Sequence, residues 1–529
     1  MKQLMGLAAA AVICGVADAQ TTMSYANRFD QQTAGLYEQR EADWRNGPIV
    51  YQVLVDRFAP STTLDAKRAL YPAPKKLRGW NEAPQRGTFL DSVRVWSHEI
   101  DFWGGDLAST MSRLDYVQGL GADVLYLNPI HLGWTNHKYD SLDYNAVSPE
   151  FGTREDVKKL AAELRRRNMK FVLDGVFNHM GRNAAIFKDA ESSPQSAYRN
   201  WFVFGPQFKG GARGWWNVEN LPELNLENAA VRDHLFAAPD SVVRGYLRDG
   251  IDGWRLDVAF DIGPRFLQDL TRAAHAEKPG SLVVGEIPNY PREWFPSVDG
   301  VMHFGLRKLM IAVANRQLDG ASFTRMMARL VQDADYEHLL KSWVYLDNHD
   351  TFRLATTVPD AKARRLAQVL QFTLPGAVNL YYGTEVAMDG GDDPEMRGPM
   401  RWDRVQAQHP DLVWTKQLVA LRKQSRALRV GDFRTAEASA GVIAYERHTD
   451  RAGDTVLVII NPLQQEVDTT VLVANSKLMD GENLVDQISG RVVQLQASMV
   501  QARMPAQTAW VLKPQLTTPG GYSQYKRVQ

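Results

Sequence analysis

The sequence predicts an α/β protein: a (β/α)8 barrel with a small inserted subdomain after its third strand, followed by a C-terminal antiparallel β-sandwich. Three observations predict it. Eight short apolar or β-branched runs, at residues 49–55, 124–127, 171–176, 251–258, 282–287, 300–304, 343–346 and 378–382, alternate with segments of helical period. The connection after the third run is too long for a simple crossover. Beyond about residue 430, runs at 442–446, 455–460, 467–473 and 508–512 follow one another with turn signals and no intervening helix.

Taken in order, the chain opens with Met1-Lys2-Gln3, a mostly apolar stretch over 4–16, and Ala17-Asp18-Ala19. That is the charge, apolar core and small-residue cleavage site of a signal peptide, so residues 1–19 are expected to be removed and the protein exported to the periplasm or medium. Residues 20–46 are an N-terminal extension and 47–428 the barrel. Inside it, Val157, Leu160, Ala161 and Leu164 recur at helical spacing behind Thr153 and Asp156, which are placed as a capping box. No G-x-G-x-x-G or P-loop follows the first strand, which disfavours an open doubly wound sheet. The segment 181–228, with Gly210, Gly211, Trp215 and Trp216, is expected to pass over one barrel end. The sandwich occupies 429–514, and 515–529 is a tail, frayed from Gly520 onward.

Composition narrows the partner. The 61 Lys and Arg balance 61 Asp and Glu, so no positive field favours nucleic acid. The 14 Trp, 18 Tyr and 20 Phe supply flat apolar faces that suit a neutral, CH-rich ligand such as a sugar. The single cysteine, Cys14, lies in the expected leader, which leaves no thiol catalysis, disulfide or Cys-ligated zinc in the mature chain. No second apolar run reaches the ~18 residues of a membrane span.

Catalytic groups of such barrels sit at the C-terminal ends of the strands. There the third strand delivers Asp174-Gly-Val-Phe-Asn178-His179, the fourth Trp254-Arg255-Leu-Asp257, the fifth Gly285-Glu286 and the seventh Asp347-Asn-His349-Asp350. Arg255 and Asp257, two apart on a strand, point the same way, so the guanidinium can hold the carboxylate ionised. Paired carboxyls, one nucleophilic and one a proton donor, are what a retaining glycosidase needs. A metal site of His137, His179 and His349 lacks the H-x-H or H-E-x-x-H spacing.

With these residues and Leu221-Pro-Glu-Leu-Asn225 in one order, the chain resembles the alpha-amylase family of glycoside hydrolases (family 13) over residues 47–513. The resemblance implies Asp257 as nucleophile, Glu286 as general acid/base and Asp350 as stabiliser of the distorted sugar. It implies that Arg255 fixes the nucleophile, that His179 and His349 bind donor-sugar hydroxyls, and that Asp174 maintains the site. Phe102-Trp-Gly-Gly-Asp106, Asn136-His137-Lys-Tyr139-Asp140-Ser-Leu-Asp143-Tyr144 and Gly390-Gly-Asp-Asp393-Pro-Glu-Met-Arg397 are similar to motifs of the cyclomaltodextrinase and neopullulanase branch. By that likeness Tyr139 stacks on the donor sugar while Asp393 and Arg397 clamp its hydroxyls; Asp143 and Tyr144 either share that role or only pack the loop.

The chain also departs from the branch. Only about 27 residues separate Gln20 from Gly47, too few for the branch's N-terminal β-domain. Phe260 stands where the branch usually has Asn, and Pro288 where it has Trp. Phe260 is therefore a candidate acceptor platform. No cofactor is required; calcium is left open, because Asp56-Arg-Phe-Ala-Pro-Ser-Thr-Thr lacks the Asn and Asp ligands of the loop that often follows the first strand. The expected activity is hydrolysis of α-1,4 bonds in maltooligosaccharides, cyclodextrins or related α-glucans. An α-glucan transglycosylase and a catalytically silent carbohydrate-binding protein are the alternatives, and the sequence does not set the oligomeric state. N-terminal sequencing of protein recovered from outside the cytoplasm is expected to start at Gln20; retention of Met1–Ala19 would refute the leader.

Overall fold

The computed structural model describes residues 34–517 and 520–526, so the leader and most of the N-terminal extension lie outside the described residues. Eight parallel strands form the central sheet: β1 (Ile49–Val53), β2 (Val124–Leu127), β3 (Lys170–Gly175), β4 (Gly253–Leu256), β5 (Leu282–Gly285), β6 (Gly300–Val301), β7 (Trp343–Val344) and β8 (Ala377–Tyr381). Each pairs with its sequence neighbour, and β8 returns to β1 with Val50 opposite Asn379. A parallel bridge from Met302 to Trp343 closes β6 against β7, with His303 N donating to Trp343 O at 3.0 Å.

Side chains alternate across this ring. Val50, Tyr126, Val172, Leu282, Val284 and Trp343 fill its interior, while Tyr51, Leu125, Leu173 and Trp254 pack outward against the helices. The helix Arg154–Arg166 shows how sequence builds that outer layer. Thr153 accepts from Asp156 N, Asp156 accepts from Thr153 N, and Val157, Leu160, Ala161 and Leu164 are its buried face.

Five of the expected strands are shorter than their apolar runs, and the sixth and seventh keep only two residues each. After Val301 the chain turns to cap the helix Phe304–Ala314 with His303, and after Val344 it leaves the ladder to carry residues 347–350 over the barrel. Two excursions cover the C-terminal end of the barrel: residues 176–228, and residues 59–106 after β1, whose only strands are two residues long. The second has no counterpart in the sequence-level expectation, because such short ladders leave no periodicity to read.

The C-terminal domain is an antiparallel sandwich whose two sheets share edge strands, so its eight strands close on themselves. They are β9 (Asp432–Ala438), β10 (Ile443–His448), β11 (Val456–Asn461), β12 (Val467–Leu472), β13 (Asn483–Asp486), β14 (Val492–Gln496), β15 (Met499–Met504) and β16 (Thr508–Pro514). The tail is not frayed throughout: Tyr525 is fully buried beside Ala452, Met479 and Leu516, and its hydroxyl accepts from Met479 N.

Barrel, sandwich and extension are joined by buried cations. Arg40, on the helix Ala34–Ala42, donates to Asp432 at 2.8 Å and to Glu337 at 2.8 Å. Arg422 donates to the carbonyls of Phe372 (2.7 Å), Gly47 (3.3 Å) and Gly376 beneath the barrel. Arg422→Met keeps the stem but orphans these carbonyls, so urea unfolding is expected to show a loss of about 3 kcal/mol or more. Unchanged stability would refute the clamp.

Candidate active site

The C-terminal ends of β3, β4 and β5 and the segment after β7 converge on one cavity of about 440 Å³. Asp257, Glu286, Asp350, His179, Tyr139, Asp393, Arg397 and Phe260 line it. Beneath its floor lies Arg255, wholly buried. Its Nη1 donates to Asp174 at 2.8 and 2.9 Å and to Asp257 Oδ1 at 3.1 Å. Its Nη2 lies 2.9 Å from Glu286 Oε2, an ion-pair contact without hydrogen-bond alignment. One guanidinium thus holds three carboxyl groups from three strands.

Glu286 takes a second contact from an unusual place. Val258, next after Asp257, has φ 48° and ψ 40°, a left-handed conformation that a β-branched residue adopts only at a cost. In that conformation its N–H donates to Glu286 Oε2 at 3.1 Å. The strain therefore links the two carboxyls through the backbone as well as through Arg255.

A second network runs through His349, Tyr139 and Asp350. Gln52, the one polar residue of β1, donates to His349 Nδ1 at 2.9 Å, which leaves the proton on Nε2. That nitrogen is 2.9 Å from Asp350 Oδ2 and 2.5 Å from the hydroxyl of Tyr139, whose own proton goes to Asp174 at 2.8 Å. Arg397 donates to Asp350 at 2.9 Å and pairs with Asp393 at 3.3 Å. His179 Nε2 lies 3.2 Å from the carbonyl of Tyr139 and 4.0 Å from Asp257 Oδ2.

The charges follow from these contacts. Burial raises the pKa of Asp257 well above the ordinary carboxylate value, Arg255 opposes it, and the charge of Glu286 adds to it. Burial also works against ionisation of Asp350, but His349 and Arg397 hold it well below the usual range. Although protein surrounds Asp350, 41% of its side chain is exposed to the cavity. Burial lowers His179 to about 4, which keeps it neutral.

The catalytic-domain profile of the alpha-amylase family matches residues 52–412. The chain belongs to the alpha-amylase family. It is 31% identical to a cyclomaltodextrinase of a Bacillus species over 79% of this chain and 73% of that one. It is 32% identical to neopullulanase 2 of Thermoactinomyces vulgaris over 77% and 68% of the two chains. Among solved structures it resembles the cyclic alpha-maltosyl-(1→6)-maltose hydrolase of Arthrobacter globiformis, with TM-score 0.74 and 29% identity over 89% of this chain and 99% of that one. The protein is thus an alpha-amylase family glycoside hydrolase.

Within this family member the predicted residues divide by depth. Asp174, Arg255 and His349 lie under the cavity lining, Arg255 reaching Asp257 and Glu286 and His349 reaching Asp350 and Tyr139 above it. Tyr144 is buried with its hydroxyl donating to the carbonyl of His179 at 2.6 Å, and Asp143 is exposed and accepts from Asn145 N, so both pack the loop. Glu99, Trp215 and Phe304 also line the cavity; of the three the sequence singled out only Trp215, as part of the inserted segment. Trp215 stacks on His179 with centroids 5.7 Å apart. The polar Gln52 inside an apolar strand was a readable sign of an inward polar role.

The cation loop does not fit calcium. Asp56 is buried and occupied by Arg57 (2.8 Å) and the N–H groups of Trp103 and Gly104. Among the described residues no group of three or more His, Cys, Asp or Glu is placed to hold a metal. Nor, among those residues, is any helix long and apolar enough to cross a membrane.

His179 carries a pH signature. An exposed histidine titrates near 6.5, so as pH falls from about 6.5 toward 4 the unfolded chain protonates first and stability is lost. His179→Gln, which does not titrate, is expected to lose less stability than wild type across that window in urea titrations. Parallel pH profiles would contradict a buried neutral His179.

Proposed function

We propose that this protein is an exported enzyme that cleaves α-1,4-glucosidic bonds in maltooligosaccharides, cyclodextrins or related α-glucans by double displacement with retention. The observation that carries this is Arg255 reaching both Asp257 and Glu286 below one cavity. Glu286, as general acid, would protonate the glycosidic oxygen while Asp257 attacks the anomeric carbon from the opposite face. The resulting glycosyl ester would then be opened by a water that Glu286 deprotonates. Asp350, ionised beside Arg397, would grip donor hydroxyls and favour the cationic character of the transition state. The names of the relatives, cyclomaltodextrinase and neopullulanase, support short or cyclic α-glucans as substrates.

Transglycosylation is a second reading, favoured by one observation. Phe260 is half-buried and lines the cavity together with the apolar residues Pro288 and Phe304. A sugar acceptor stacked on Phe260 would displace water from the ester.

Retention is checked by proton NMR of the first sugar released from an α-glucan, expected to be the α-anomer; a β-anomer first would overturn the mechanism. Carboxyls in a retaining enzyme lie about 5–5.5 Å apart, too close to admit the water of inversion. Asp257→Asn and Glu286→Gln are each expected to lower kcat about a thousandfold or more while circular dichroism stays unchanged. Near wild-type turnover in either would remove that residue's role. Phe260→Asn is expected to lower the ratio of transfer to hydrolysis severalfold, as befits a contact worth about 1 kcal/mol. An unchanged ratio in the folded variant would rule out the platform.

A further inference from the structure

The excursion after β1 ends in a small hairpin, Phe89–Leu90 paired with Val95–Trp96, that the catalytic scheme does not use. Phe89 and Trp96 sit directly opposite each other in the ladder, 46% and 43% exposed, with ring centroids 5.7 Å apart in an edge-to-face arrangement. Two large aromatic side chains left to solvent on a two-residue ladder contribute little to folding.

The hairpin is fastened to the donor side of the cavity at its base. Gly87 N donates to His98 Nδ1 at 3.1 Å, so His98 turns its Nε2–H toward Asp393, at 3.2 Å. The Trp96 ring lies over His98, with centroids 6.0 Å apart and a tilt of 32°. Glu99, whose carboxylate accepts from Trp96 N, lines the cavity and pairs with His137 at 3.3 Å. At the hairpin's other end, Arg94 pairs with Glu219 of the inserted lobe at 3.0 Å. Asp393, His98, Trp96 and Phe89 therefore form a continuous track leading outward from the donor clamp.

We propose that Trp96 and Phe89 are an outer sugar-binding platform, which takes the glucosyl units of an α-glucan that extend beyond the Asp393–Arg397 clamp on the non-reducing side. This rests on the reading of the cavity as an α-glucan site. The flat apolar rings match the CH faces of a neutral sugar, and the anchoring through His98 keeps them in line with the clamp. The tie to Glu219 holds the arm against the second wall of the cleft, so the platform is preorganised rather than assembled by the ligand.

The test is chain-length dependence. The ratio of kcat/KM on maltoheptaose to that on maltotriose is expected to fall about fivefold in Trp96→Ala, with partial recovery in Trp96→Tyr. An unchanged ratio overturns the platform, as does an equal fall on both sugars, which would mean that the hairpin only shapes Asp393 through His98. A shift in sedimentation of Trp96→Ala with an unchanged ratio would assign the rings to an interface between copies and also overturn it. If wild type cleaves neither sugar, the activity reading fails on its own. Calorimetric titration with maltoheptaose then decides the platform: weaker binding by Trp96→Ala supports it and equal binding overturns it.

Discussion

The buried guanidinium of Arg255 is the interaction on which the rest of the site depends. A lone cation in a barrel interior is strongly disfavoured, and its burial is tolerated only because Asp174, Asp257 and Glu286 surround it. The dependence runs both ways. Three carboxyls from three strands repel one another, and Arg255 is the charge that lets them share one floor. Asp174 passes the constraint outward by accepting from Tyr126 at 2.6 Å and from Tyr139, so the tyrosine that lines the cavity is placed by the same charge.

Two kinds of side chain line the cavity. Around Arg397 nearly every carboxylate is fixed by a guanidinium or an imidazole: Asp350 by Arg397, Asp393 by Arg397 and His98, Glu99 by His137. Such a wall is rigid and directional, because charge-assisted hydrogen bonds have narrow geometry. Phe260, Pro288 and Phe304 offer shape and apolar area instead. Backbone strain sits in Val258, the β-branched residue immediately after Asp257.

Most of the catalytic floor was legible in the sequence for a simple reason. Asp174, Arg255, Asp257 and Glu286 fall at strand ends, and a strand's period of two fixes which neighbours share a face. The barrel was legible through its eight apolar runs, and the helix at Arg154–Arg166 through Thr153 and Asp156. The depth of Asp174 and His349 was not, since burial depends on what packs above a residue. The four sandwich strands β9, β13, β14 and β15 escaped notice because their exposed faces interrupt the apolar pattern, and Tyr525 because one ring in a polar tail carries no period.

The sequence by itself determined the order of strands, the inward direction of the acidic residues and the family pattern of motifs, all of which rest on local spacing. Only the tertiary structure decided that one arginine serves three carboxyls, that Gln52 sets the tautomer of His349 across 297 residues, and that the Phe89–Trp96 hairpin joins the clamp. Those contacts join segments far apart in the chain. Their free energy comes from charges and rings brought together by closure of the barrel, an event that no local period encodes.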